Sequence, residues 1–145
     1  MRLRPIEPGS TAYAAFIGLL EEAGLPTRDL HDEGARYYAL GDGPEVMAFA
    51  GLAAGGDDAL VRSVVVPQSG RGAGHGGAVI DHLATLASTY GVQRLWLLTT
   101  GGEGFFGRHG FASVDRSGAP PFIASTRQFT ELCPSSAVLM CRTLV

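Results

Sequence analysis

Apolar and polar positions along this chain follow two periods, and the switches between them outline its elements. Arg2–Ile6 reads as a short strand stopped at Pro8-Gly9. Ala12, Ala15, Phe16, Leu19 and Leu20 then keep the three-and-four spacing of a helix, with Ser10 or Thr11 to cap it and Gly24 to end it. Pro26-Thr27 is expected to open more helix over Arg28–Glu33. Strands are expected over Arg36–Leu40 and Glu45–Ala54, joined by the turn Gly41-Asp42-Gly43-Pro44, and Gly55-Gly56-Asp57-Asp58 turns the chain back. The β-branched run Ala59–Val66 has the composition of a central strand buried on both faces. After a glycine-rich loop, Val79, Leu83, Leu86, Ala87 and Tyr90 share one face of a helix over Ala78–Tyr90, closed by Gly91. Val92–Thr100 reads as a strand, Gly101–Arg108 as a short helix and Phe111–Val114 as a strand. Pro120–Leu132 has partial helical spacing, and Ala137–Leu144 is the last strand. This order, an antiparallel meander followed by one parallel crossover, predicts a single α+β domain over residues 1–145.

Composition narrows the chemistry. With 145 residues, 46% hydrophobic and 17% charged, the chain is ordinary globular material. Eleven arginines against fourteen acids leave a net charge of −3, so no basic surface is expected for nucleic acid. The apolar runs fall far short of the ~20 residues that span a bilayer, so the reading is a cytoplasmic protein without a membrane partner. Cys133 and Cys141 are too few for a disulfide framework or a four-ligand zinc site, and no metal is expected. Lysine and asparagine are absent throughout. Schiff-base chemistry, the phosphate-loop Gly-Lys-Ser/Thr motif and N-glycosylation are thereby excluded.

The 21 glycines cluster. Five fall in Gly70-Arg71-Gly72-Ala73-Gly74-His75-Gly76-Gly77, between the buried strand and the following helix. Such a loop exposes backbone N–H groups at a positive helix end, with Arg71 as a fixed cation, and that geometry receives phosphate. The competing reading is a turn that only lets strand and helix pack closely. Taken literally, Gly72–Gly77 also matches the dinucleotide pattern G-x-G-x-x-G, but the next strand ends in Thr99-Thr100 where that motif wants an acid for the ribose.

Counted from Arg71, the loop is Arg-x-x-Gly-x-Gly, and it resembles the coenzyme A loop of the GNAT superfamily of acetyltransferases. Phe106-Gly107-Arg108-His109-Gly110-Phe111 is similar to a second signature of that family, an aromatic-x-x-x-Gly-Phe run after the fifth strand. The resemblance implies the GNAT fold, a mixed, mostly antiparallel sheet flanked by helices, with the fourth and fifth strands splayed around a central β-loop-α coenzyme A site. It implies acetyl-CoA as cosubstrate, its pyrophosphate on Arg71, Gly72, Ala73, Gly74, His75, Gly76 and Gly77 and its pantetheine arm along Val64 and Val66. Thr99 and Phe106 stand where the family often has an asparagine and a tyrosine acid. Phe106 has no proton to give. A narrower resemblance, to small GNAT proteins of arsenic-resistance operons, rests on Leu25–Leu30, Val61–Val66, Leu97–Thr100, Phe105-Phe106 and Phe129–Ala137. It implies N-acetylation of a small anionic amino acid bearing an arsenical or phosphinic group. The resemblance also implies a homodimer, and a coenzyme A-binding module without catalysis is the alternative function.

Arg62 stands inside an apolar strand, where a guanidinium requires a partner. Two readings are open: an ion pair or surface-facing arginine, or, together with Ser63, contact with an anionic acceptor. Glu21, Glu22, His31, Glu33, Glu45 and Glu103 are bases by type, each expected to be a solvated surface group, and Cys133 is a candidate thiol acid or a small buried hydrophobe. No catalytic base is assigned.

Overall fold

The computed structural model describes residues 1–132 and 136–144. Along them run β1 (Arg2–Ile6), α1 (Thr11–Glu22), β2 (Arg36–Gly41), β3 (Ala48–Gly55), β4 (Asp58–Val65), α2 (His75–Thr89), β5 (Arg94–Thr99), α3 (Glu103–Gly107), β6 (Ala112–Val114), α4 (Pro121–Ser125) and β7 (Val138–Thr143). The strands form one sheet in the order β1-β2-β3-β4-β5-β7-β6. Only the β4–β5 pair is parallel, as the crossover through α2 requires.

Alternation along the strands sorts side chains onto two faces. Tyr38, Leu40, Val61, Leu95, Leu97 and Met140 meet Val79, Ile80, Leu83 and Ala87 of α2. On the other face Tyr37, Ala39 and Phe49 pack against Tyr13, Phe16 and Leu20 of α1. Farther along, Ile123 of α4 joins Ala53, Leu60, Trp96 and Leu139. Each such large side chain contributes roughly 1.5–3 kcal/mol by leaving water. Ser10 starts α1 as expected, its Oγ accepting from the Tyr13 N–H at 3.1 Å. No helix among the described residues is long and apolar enough to cross a membrane.

The strand expected over Glu45–Ala54 begins only at Ala48, and three further elements differ from the sequence pattern. The helix expected over Arg28–Glu33 is only a 3₁₀ turn, Asp32–Gly34. Asp29 is drawn into the core there and Glu33 takes a left-handed φ of 53°, both incompatible with a continuing helix. Helix α2 begins at His75, three residues before its apolar face, because the glycines themselves form its first turn. Pro120–Leu132 divides into α4 and a π-type turn, Gln128–Leu132, separated by an extended Thr126.

A bulge in β4 decides which of its side chains face which helix. Gly51 pairs with Arg62 and Phe49 with Val65, so two steps on β3 span three on β4, and Ser63 has φ 58°. The extra residue inverts the alternation. Leu60 faces α4, and Val65 lies on the same side against α1, while Val64 and Val66 both pack toward α2.

Candidate acyl-transfer site

The site is a gap in the sheet. β4 and β5 pair only at Asp58–Arg94, Ala59–Leu95 and Leu60–Trp96. Beyond that point β4 stays paired with β3 as far as Val65, and β5 with β7 as far as Thr99, so the two strands part with their facing edges free. Asp58 staples the closed end. Its Oδ1 accepts from Arg94 Nε and from the buried Trp96 Nε1, each at 2.8 Å, and the Asp57 carbonyl accepts from the Gln93 and Arg94 N–H groups. Burial alone would raise the Asp58 carboxyl, but the bonds from Arg94 and Trp96 outweigh it and hold it below its ordinary 3.8.

Two cavities meet at the parted strands. One, of about 460 Å³, is walled by Val64, Val66, Gly70, Arg71, Gly72, Gly74, His75, Gly76, Phe105 and Phe106. The other, of about 200 Å³, lies between Val61–Val64 and Leu97–Thr99, with Leu25, Pro26, Phe106 and Gln128 closing its sides. They share Val64 and Phe106. A larger groove of about 680 Å³ runs between β1 and α2, away from the glycine loop.

The loop fits a phosphate ligand by its backbone. Gly72 and Gly74 have φ 84° and 82°, values a side chain would strain, and Gly74 is the N-cap of α2. The first helical bond runs from the Ala78 N–H to the Gly74 carbonyl, which leaves the His75, Gly76 and Gly77 N–H groups without helical partners at the positive end of a 15-residue helix. Gly76 sits at the cavity wall, where a Cβ would stand 3.1 Å from the Phe105 ring. Gly77 is buried instead. The His109 imidazole occupies the space of its absent side chain and packs tilted against Phe105, ring centroids 4.8 Å apart. Arg71 folds back, Nε donating to the Val66 carbonyl at 3.1 Å, and Ala73 is exposed outside the cavity wall. Thr99 borders the smaller cavity with Oγ1 against Gly102.

Of the two readings left open for Arg62, the structure takes the ion pair. Its side chain is fully buried and held by Asp29, itself fully buried, with Glu33 at 3.9 Å and the Tyr37 ring at 6.0 Å. The guanidinium is therefore an internal ion-pair partner and offers no open cation to an acceptor. Ser63 reaches the cavity as the bulge residue. Burial pushes the Glu33 carboxyl above its ordinary range, against the pull of the Arg127 backbone N–H and Arg62. Glu21, Glu22, Glu45 and Glu103 are exposed, and His31 stacks on Tyr13 at the surface. Cys133 lies outside the described residues.

Two residues went unnoticed in the sequence. Asp29 falls within the helix expected over Arg28–Glu33 and drew no separate notice, although the need of Arg62 for a buried counter-charge pointed to some such partner. Gln128 is 6% exposed at the smaller cavity, and no sequence signal marks it.

The model of the acetyltransferase (GNAT) family matches residues 7–111, more than two thirds of the sequence. The chain belongs to the GNAT acetyltransferase family. Known GNAT structures repeat its fold. N-acetylglutamate synthase from Neisseria gonorrhoeae, complexed with coenzyme A and N-acetyl-glutamate, aligns over 99% of this chain with a TM-score of 0.79 at 20% identity. The chain spans only 35% of that protein's length. Rv2747 from Mycobacterium tuberculosis, in complex with CoA and NLQ, aligns over the whole of both chains with a TM-score of 0.79 at 19% identity. A GNAT acetyltransferase from Elizabethkingia anophelis with acetyl-CoA bound covers 99% of this chain and 97% of its own, with a TM-score of 0.70 at 14% identity. At these identities the likeness is one of fold. No curated protein matches the sequence.

Proposed function

We propose that this GNAT protein transfers the acetyl group of acetyl-CoA to the amino group of a small, amino-acid-like acceptor. The observation that carries the reading is the meeting of the two cavities at Val64 and Phe106, one beside the phosphate-receiving loop and one walled by the parted strands. Pyrophosphate on the His75, Gly76 and Gly77 N–H groups would run the pantetheine along Val64 and Val66, where the free edge of β4 can pair with its amides. The thioester would then lie between the cavities. The neutral acceptor nitrogen bonds to the acetyl carbon, the C–S bond breaks, and the proton lost by nitrogen passes through water to the departing thiolate. Positioning supplies most of the acceleration in such a scheme, because Phe106 offers no acid.

Coenzyme A beside an amino-acid product in the Neisseria relative supports an amino-acid-like acceptor. Arsenical and phosphinic amino acids, implied by the narrower resemblance, are the first to assay, although Arg62 gives them no free cation. The phenyl group of Phe106 also favours a second reading, a coenzyme A-binding module without turnover. A thiol-release assay separates the two. Acetyl-CoA with a panel of amino acids, including phosphinothricin and its arsenical analogue, is expected to release free thiol with at least one acceptor. Stabilisation by acetyl-CoA without thiol release from any amine would favour the module. Light scattering tests the homodimer.

A further inference from the structure

Three residues around Gln128, beside the acceptor cavity, are held in place. Thr126 is fully buried and its Oγ1 donates to the Ile123 carbonyl at 2.8 Å. Arg127 meets Asp32 at 3.4 Å and Glu131 at 3.6 Å. The Phe129 carbonyl accepts from Arg116 at 3.1 Å, and the same guanidinium covers the Phe129 ring at 4.6 Å. Between these anchors Gln128 points its side chain at the cavity, 6% exposed, and none of the side-chain hydrogen bonds among the described residues involves its carboxamide. The carboxamide atoms are not sealed in the core but open onto the cavity, and an amide that opens there without a protein partner is available to a ligand. The turn that presents it is π-type, a local geometry that recurs at functional sites.

The rest of the wall sharpens the class of ligand. Leu25, Pro26, Leu97 and Phe106 are apolar, and the nearest cation, Arg62, is already met by Asp29. A carboxamide presents one donor and one acceptor in a plane, so it complements another carboxamide with both, and its NH₂ group can donate to a carboxylate, which only accepts.

We propose that Gln128 is the acceptor-specificity residue, its carboxamide binding the carboxylate or carboxamide of an amino-acid-type amine while the amino group faces the thioester. The proposal rests on the transferase reading. The Arg127–Asp32 pair serves it by tying the turn that bears Gln128 to the segment that supplies Leu25 and Pro26.

The test compares matched acceptors: an amino acid turned over in the thiol-release panel, its carboxamide, and the amine lacking the carboxyl group. In the parent protein kcat/KM for the amino acid and its carboxamide should exceed that of the bare amine at least tenfold, the worth of one charge-assisted hydrogen bond. In Gln128→Leu the ratio should collapse to about one with the acetyl-CoA KM within twofold. In Gln128→Glu, which keeps size and polarity, the free amino acid should lose more than its carboxamide through carboxylate repulsion. A merely structural role would lower all three acceptors together. The proposal is overturned by a parent ratio near one or by an unchanged ratio in both variants. No turnover of any amine while acetyl-CoA still raises the melting temperature, or failure of acetyl-CoA to bind, would instead overturn the transferase reading beneath it.

Discussion

Replacing Asp58 with alanine removes the staple that holds β4 and β5 together just before they part. The main loss is the bond to Trp96 Nε1, since the indole is 5% exposed and its N–H would be left buried without an acceptor. That penalty is roughly 1–3 kcal/mol. The ion pair with the well-exposed Arg94 adds little after screening. Taking about 2 kcal/mol in all, thermal unfolding near neutral pH should show a melting temperature lower by ~6–8 °C. Asp58→Asn keeps an oxygen for the indole and should lose only about a third as much. Because the staple sets where the strands separate, the acetyl-CoA KM of the alanine variant should rise several-fold. Acid adds an independent check. The folded carboxyl lies below 3.8, so its contribution is complete above the unfolded value and disappears as pH falls through the folded one. The gap between parent and Asp58→Asn should therefore close below pH 3.8. A melt of Asp58→Ala within about 2 °C of the parent, or an asparagine variant as unstable as the alanine one, would refute the reasoning.

Gly76→Ala places a methyl group at the wall of the cavity beside the glycine loop, 3.1 Å from the Phe105 ring, while helix propensity improves by up to ~1 kcal/mol. Calorimetry should show acetyl-CoA binding weakened at least tenfold in a free protein that melts no lower than the parent; unchanged affinity would remove the pyrophosphate from this turn. Asp29→Ala leaves the buried Arg62 with only Glu33 at 3.9 Å and should cost about 3 kcal/mol in urea unfolding. Asp29→Asn, which removes the same charge but keeps an oxygen that can accept from the guanidinium, should cost clearly less, and equal losses would mean that the charge of Asp29 carries the whole effect.

The part of the site made of backbone was legible in the sequence. Alternating glycines after a β-branched run have few uses, and they marked both the loop and the open first turn of α2. Even there the apolar pattern set the helix start at Ala78, because His75, Gly76 and Gly77 contribute no periodic apolar signal. The acceptor side was not legible. Its residues come from three segments, near Leu25, Ser63 and Gln128, that meet only after the sheet has formed. Arg62 shows where sequence reasoning stops: its need for a buried partner was plain, while the identity of Asp29, more than thirty residues earlier, depended on how the α1–β2 segment folds inward.

The parted strands have a cost beyond the site. From Val61 to Val65 and from Leu97 to Thr99, two rows of main-chain donors and acceptors face each other across a seam in the middle of the sheet, without a strand between them. Open strand edges are templates for association with other chains, and proteins ordinarily cover them. Under the proposed function the pantetheine amides act as that missing cover. Ligand at a hundredfold excess over its dissociation constant adds about 2.7 kcal/mol by mass action, so acetyl-CoA supply would govern the solubility and lifetime of this protein as well as its turnover.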